Sequence, residues 1–215
     1  MDFDAVILAG GKSSRLCGVP KAELRYDGDT LLGRALSAAR GAGRVAVVGP
    51  DPGTLPSGTL TAREDPPFAG PAAAIEAGLL ALDTNAGRGA PWILVLACDM
   101  PHAGNAVPVL LAELARNAKA ENANTENTNT EYAGIEGAMA VSPDGRKQPL
   151  LGIYCLSALQ REVRAAAGQG GLANASVFRL LASLDLLAIP VPDGSTDDVD
   201  TWDDAAALGV NGDLP

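Results

Sequence analysis

Large flat side chains are scarce in this chain: two Trp, three Tyr and three Phe, only 4% of 215 residues. Any core must therefore be assembled mostly from Ala, Val, Leu and Ile. Cysteine is also sparse. Cys17, Cys98 and Cys155 are widely spaced and odd in number, which excludes a disulfide framework and a CxxC-type zinc site and points to a reducing cytoplasm. All three read as core residues, with Cys17 the most exposed. The lone histidine, His102, reads as incidental. No apolar run approaches the ~20 residues of a membrane span. The chain starts with Asp2 and Asp4 instead of a basic stretch, so no signal peptide is expected. Positive charge is short as well: 16 Lys and Arg face 26 Asp and Glu, a net charge of −10. That balance argues against a nucleic-acid surface. It leaves a nucleotide ligand open, because local charge decides that. What is plentiful is apolar surface, 47% against 20% charged, enough for a substantial core. The length suits one domain, or one with a small insertion.

Against this acidic background one stretch stands out. Ala5-Val6-Ile7-Leu8 is a short apolar run that reads as a buried first strand, and it stops at Ala9-Gly10-Gly11. Paired glycines let the backbone turn tightly and leave its N–H groups uncovered. Lys12, Arg15 and Lys21 follow within ten residues of Gly11. Exposed donors and fixed cations at the end of a strand suit a polyphosphate. Lys12 itself reads as a solvated loop lysine.

Further along, Thr30 reads as the N-cap of a helix whose apolar face is Leu31, Leu32, Ala35, Leu36 and Ala39. Gly41 and Gly43 stop it. Strands are expected at 45–48 and 60–62, a helix opened by Pro71 and running to about Leu82, and the cleanest buried strand at 92–97. A helix is expected over 106–117. The tract 117–133, polar and of low complexity, reads as a disordered surface insertion. Strands at 137–141 and 150–154, helices at 157–167 and 176–184, a strand at 186–191 and a helix from Thr201 complete the pattern. Strands alternating with helices imply a three-layer α/β sandwich with a mainly parallel sheet. Ligands of such sheets collect beyond the carboxyl ends of the strands, so Gly10-Gly11 and Asp99 are expected on one rim.

Two common phosphate motifs fail by inspection. A Walker A loop around Gly11-Lys12-Ser13 would need glycine where Val6 stands. A dinucleotide fingerprint from Gly10 would need glycine where Lys12 stands. What remains is Leu8-Ala9-Gly10-Gly11, then Arg15-Leu16, Gly18 and Pro20-Lys21. This resembles the signature of sugar-nucleotide-type nucleotidyltransferases. Glu64-Asp65-Pro66 with Gly70-Pro71-Ala72, Cys98-Asp99-Met100-Pro101, Gln148-Pro149 and Asp198-Val199-Asp200-Thr201 resemble, in order, later segments of the MobA-like molybdenum cofactor guanylyltransferases. The chain departs from that pattern at Leu16-Cys17, where Met-Gly is usual, at Pro20, where Asp is common, at Gly49, where Asn is frequent, and at Asp198 and Asp200, which replace two asparagines.

The resemblance implies a single-domain Rossmann-like sandwich with a mainly parallel, mixed sheet, of the nucleotide-diphospho-sugar transferase type. It implies transfer of GMP from GTP to molybdopterin. CTP with a related pterin, another NTP with a small phosphorylated acceptor, and a non-catalytic nucleotide-binding regulator or cofactor carrier stand as alternatives. It implies nucleotide contacts from Leu8, Ala9, Gly10, Gly11, Lys21, Asp65 and Asp99. Arg15, Lys21 and Asp99 would be catalytic, Gln148 and Pro149 would line the acceptor side, and Asp99 and Asp200 would hold Mg²⁺. Asp198 and Asp200 also read as carboxylates favoured by the dipole of the helix they precede. Transient contact with cofactor-supplying or apo-molybdoenzyme proteins is implied, and neither nucleic acid nor membrane is.

Overall fold

Every residue of the first strand is buried, β1 (Phe3–Leu8), and its two faces feed two separate apolar layers. Phe3, Ala5 and Ile7 pack on one side, Val6 and Leu8 on the other. That is the period-2 alternation of a strand covered on both faces. The computed structural model describes residues 1–50, 55–84, 89–124, 134–168 and 170–212. After β1 come a short hairpin, β2 (Arg25–Tyr26) and β3 (Asp29–Thr30), then α1 (Leu31–Ala38), β4 (Val45–Val48), β5 (Leu60–Ala62), α2 (Pro71–Thr84), β6 (Trp92–Ala97) and α3 (Val107–Asn124). The second half holds β7 (Gly137–Val141), β8 (Lys147–Cys155), α4 (Leu156–Gly168), α5 (Val177–Leu180), β9 (Leu186–Pro190) and α6 (Trp202–Leu208).

Seven strands form one sheet in the order β5-β4-β1-β6-β8-β7-β9. β5, β4, β1 and β6 pair in parallel. β8 runs antiparallel to both its neighbours, β6 and β7, and β9 runs parallel to β7. The sheet is therefore mixed but mainly parallel, as expected. α1 and α3 cover one face; α2, α4 and α5 cover the other. The apolar runs 45–48, 60–62, 92–97 and 137–141 are strands over those same residues. Thr30 caps α1 by accepting from the Gly33 N–H at 2.9 Å.

Four segments differ from expectation. β8 begins at Lys147, three residues before the expected start at 150, so Gln148 and Pro149 belong to the strand. The β2–β3 hairpin has arms of two residues each, too short to show alternation; its Asp27-Gly28 turn lies at positive φ, the conformation such a dipeptide favours. α3 continues to Asn124, so the polar tract begins as helix; Ala, Lys and Glu support helix without an apolar face. The part of the tract beyond it, 125–133, lies outside the described residues. α5 is a single turn followed by i→i−3 turns at Ala182 and Leu184, because the chain must reverse into β9.

A third, smaller apolar cluster sits apart from the sheet. Leu16, Leu24, Leu31, Val199, Ala205 and Val210 are all buried in it. It joins the loop after β1 to the hairpin and to α6. Arg25 and Asn211 exchange backbone hydrogen bonds at 2.7 Å in both directions. α6 is fixed by a reciprocal capping box between Thr201 and Asp204.

One charge interrupts β1. Asp4 is 2% exposed and is held by Arg44, whose Nη2 and Nε donate at 2.6 and 3.1 Å, and by the Ala90 N–H at 3.2 Å. Arg44 also donates to the Leu82 carbonyl at 2.8 Å. The pair thus ties the starts of β1, β4 and β6 to the end of α2. Removing one partner of a buried pair strands the other. Asp4→Asn should therefore lose about 3 kcal/mol of stability, read as a lowered denaturant midpoint with unchanged slope; an unchanged midpoint would show that the pair is not a brace.

Candidate active site at the strand ends

The glycine turn is positioned from below by two strands. The Ala9 N–H donates to Val48 of β4 at 2.8 Å, and the Cys98 N–H donates to Leu8 at 3.0 Å. Gly49, at φ +156°, has no room for a side chain: a Cβ there would lie 2.8 Å from the Ala9 carbonyl carbon and the Gly10 nitrogen. The absence of Asn at this position is thus a packing necessity in this chain. Beyond Gly11 the backbone takes left-handed conformations at Ser13 and Cys17. Leu16 is driven into the third cluster, which turns Arg15 outward. The N–H groups of Gly10, Gly11, Lys12 and Ser13 bind no acceptor among the described residues. Successive free donors of this kind form a concave anion seat.

Lys21 opens a short turn after Pro20, which points its ammonium at the rim. It donates to Asp99 Oδ2 at 2.8 Å and makes a shorter contact to Asp200 Oδ1. Arg15 donates to Asp200 Oδ2 at 3.3 Å. Asp99 is delivered by the end of β6, and Asp200 by the segment entering α6. The two segments are bonded to each other: the Val199 N–H donates to the Asp99 carbonyl at 3.0 Å. Asp198 completes an acidic group, with carboxylate oxygens of Asp99, Asp198 and Asp200 all within 4.8 Å of one another.

The charges respond to this crowding. Burial works against the Lys21 ammonium, but Asp99 and Asp200 outweigh it and hold its pKa above the ordinary lysine value. Asp198 is pushed above the usual carboxylate range by burial and by facing Asp99 and Asp200. Burial, with Asp99 next to it, pushes the Cys98 thiol up, so it is protonated and no nucleophile. The three carboxylates offer only hard oxygen ligands, a donor set that suits Mg²⁺.

Two cavities open on this rim. One of about 250 Å³ is lined by residues 10–15, Lys21, Asp99 and Asp200. The other, about 400 Å³, is bounded by Leu8, Gly10, Lys21, Glu64, Phe68 and Asp99, among others. They share Gly10, Gly11, Lys12, Lys21 and Asp99. A larger hollow of about 820 Å³ lies beside α1, between Pro20 and residues 55–59. None of Arg15, Lys21, Asp99 and Asp200 reaches it, so the chemistry belongs to the smaller pair.

Leu8, Gly10, Gly11, Arg15, Lys21, Asp99 and Asp200 thus meet, as the sequence led one to expect. Ala9 lies beneath them, facing the larger hollow. Asp65 is exposed and reaches neither rim cavity; its neighbour Glu64 does. The signal was strand parity. Leu60, Ala62 and Glu64 share one face, and Asp65 falls on the other. Gln148 lines a separate cavity of about 490 Å³ with Arg146, Asp198 and Asp204. Pro149 is buried, and its carbonyl accepts from the Tyr154 hydroxyl at 2.7 Å. Lys12 is exposed yet borders both rim cavities. His102 packs edge-on against Tyr26 at 5.0 Å.

A glycine turn, two cations and a carboxylate cluster meet at the ends of a mainly parallel sheet, an arrangement chemically suited to a phosphorylated ligand and a divalent cation. The MobA-like NTP transferase domain matches residues 5–185, and the chain belongs to that family. A probable molybdenum cofactor guanylyltransferase of Synechococcus elongatus is 38% identical over 109 residues, 47% of this chain and 53% of that protein. The chain thus matches about half the length of this curated relative. Two solved structures share the fold. Molybdopterin-guanine dinucleotide biosynthesis protein A of Archaeoglobus fulgidus superposes with a TM-score of 0.62 at 21% identity, covering 95% of this chain and 96% of that one. The 2-C-methyl-D-erythritol 4-phosphate cytidylyltransferase of Thermus thermophilus does so with 0.63 at 20% identity, covering 97% of each.

Lys21 both balances and competes with a divalent cation for the same carboxylates. Lys21→Met should therefore bind Mn²⁺ more tightly and a nucleoside triphosphate more weakly, each by about tenfold, in calorimetric titrations. Shifts of the same sign for both ligands would refute this arrangement of charge.

Proposed function

We propose that this chain is a Mg²⁺-dependent nucleotidyltransferase that transfers GMP from GTP to a molybdopterin-type acceptor and releases pyrophosphate. The observation that carries the reading is Lys21, held between Asp99 and Asp200 beside the uncapped N–H groups of the glycine turn. In the reaction a phosphate oxygen of the acceptor attacks the α-phosphorus. A new P–O–P link forms, the bond to the β-phosphate oxygen breaks, and pyrophosphate leaves. Such transfers ask the protein for positioning and charge neutralisation more than for covalent chemistry.

The residues divide that work. The N–H groups of residues 10–13 seat the triphosphate, and Arg15 and Lys21 take up negative charge on the departing pyrophosphate. To do so both cations exchange a carboxylate for a phosphate oxygen. Asp99, with Asp200 and Asp198, would hold the cation, which supplies positive charge across the phosphate oxygens. Leu8, Gly10 and the wall of the 400 Å³ cavity take the nucleoside. Gln148 and Arg146 border the 490 Å³ cavity on the far side of Asp198 and face the acceptor. Among the described residues no helix is long and apolar enough to cross a membrane. Our reading places the reaction in the cytoplasm, with transient contact to cofactor-supplying or apo-molybdoenzyme proteins.

The test is pyrophosphate release by purified protein with GTP, Mg²⁺ and molybdenum-loaded cofactor. Release should require both the acceptor and the metal. Asp99→Ala and Lys21→Ala should each remain folded and lose about 100-fold or more in rate. Absence of release with any nucleoside triphosphate and any pterin acceptor overturns the reading.

A further inference from the structure

Glu64 is a buried carboxyl group that the described residues leave only partly satisfied. The residue is 7% exposed and forms part of the wall of the 400 Å³ cavity. Its Oε1 accepts from the Phe68 N–H at 3.0 Å and lies 3.6 Å from where a Gly10 side chain would begin. Its Oε2 is buried and has no hydrogen-bond partner among the described residues. Lys12 and Lys21 border the same cavity, yet neither forms an ion pair with it. Arg63, next in sequence, lies over the Phe68 ring, 5.6 Å from its centroid, and does not border that cavity. Buried polar atoms in folded proteins are nearly always paired, and an exception calls for a reason. A carboxylate has about four acceptor sites and no donor; here the protein fills one.

We infer that Glu64 is the residue that reads the base of the bound nucleotide, and that the base it selects is guanine. This rests on the nucleotidyltransferase reading above and extends it to a specificity-determining side chain. The argument is one of donor pattern. Along its pairing edge guanine presents two adjacent donors, the N1–H and the 2-amino group, which match the two oxygens of a carboxylate. Cytosine and adenine each offer one amino donor next to a bare ring nitrogen, whose lone pair would face the carboxylate. Uracil offers one N–H between two carbonyls. Only guanine satisfies both oxygens without opposing lone pairs. The terminal torsion of Glu is broad and each carboxylate oxygen has two lone pairs, so both oxygens can turn to the ligand while one of them keeps the Phe68 N–H. The position fits a base. Gly10 exposes backbone beside the carboxylate and opens the proposed phosphate seat. Phe68, 42% exposed, presents a ring at the same wall, against which a base can stack.

A site built to hydrogen-bond a group rejects the analogue that lacks it, because its own polar atoms are then left unpaired. Binding should therefore be measured calorimetrically, with Mg²⁺, for GTP, for ITP, which lacks only the 2-amino group, for CTP, and for 2′-deoxy- and 3′-deoxy-GTP. The wild-type protein should bind GTP about tenfold or more tightly than ITP, prefer it further over CTP, and lose little with either deoxy sugar. Glu64→Gln should bring GTP and ITP to within about threefold. Its melting temperature without ligand should equal or exceed wild type, since an unpaired buried carboxyl oxygen is removed. Equal wild-type affinity for GTP and ITP, or a loss carried by the deoxy sugars, overturns the assignment; so does Glu64→Gln with an unchanged GTP-to-ITP ratio. The wild-type series decides the matter even if the variant does not fold. Failure of the wild type to bind any nucleotide overturns the nucleotidyltransferase reading as well. Nucleotide binding with no base preference leaves that reading standing and removes only this inference.

Discussion

Lys21 is one cation between two carboxylates that reach it from 78 and 179 positions away in the chain. The rim is assembled around that contact. Without a positive charge there, Asp99, Asp198 and Asp200 would repel one another across less than 5 Å. With it, and with Arg15 on Asp200, two cations face three carboxylates, and the protein alone leaves the group slightly negative. A polyphosphate by itself would therefore be opposed at this edge, whereas a divalent cation on the three carboxylates would turn the group slightly positive. On the proposed function, these ion pairs would be exchanged when substrate and cation bind, which would account for cations lying beside carboxylates here.

The fold serves that contact from both ends of the sheet. At one end Asp4 and Arg44 brace the starts of three strands and the end of α2. At the other, β1 and β6 deliver the glycine turn and Asp99 side by side, in the register that pairs Leu8 with Ala97. The reversed strand β8 changes the geography of the rim. Because it runs against β6, its first residues, not its last, stand at the ligand edge. That is why Gln148 and Leu150 face cavities there.

Much of this was legible in the sequence, for local reasons. Runs such as Val45–Val48 and Trp92–Ala97 are apolar on both faces and lie between glycines and prolines, so their limits are sharp. Thr30 and Pro71 mark helix starts by their own chemistry. The glycine turn and its cations marked the edge where the structure brings Arg15, Lys21, Asp99 and Asp200 together. What was not legible depends on tertiary parity and direction. Choosing Glu64 over Asp65 requires knowing which face of β5 meets the α2 layer. Assigning Pro149 requires seeing that the Tyr154 ring folds back onto its carbonyl. The helical part of the polar tract escaped because periodicity reveals only helices that must bury a face, and α3 past Asn117 has no apolar stripe to show.

The small cluster of Leu16, Leu24, Leu31, Val199, Ala205 and Val210 bears on how the molecule is completed during synthesis. The glycine turn leaves the ribosome early, and most of the sheet can pair soon after. The floor beneath Arg15 arrives only with Val199 and Ala205, and Lys21 gains its second carboxylate only with Asp200. Contacts between such distant parts of a chain form late, because so much backbone must first be closed. A nascent chain can thus own a nearly finished sheet and no working edge. The edge is then completed only when the segment leading into α6 docks.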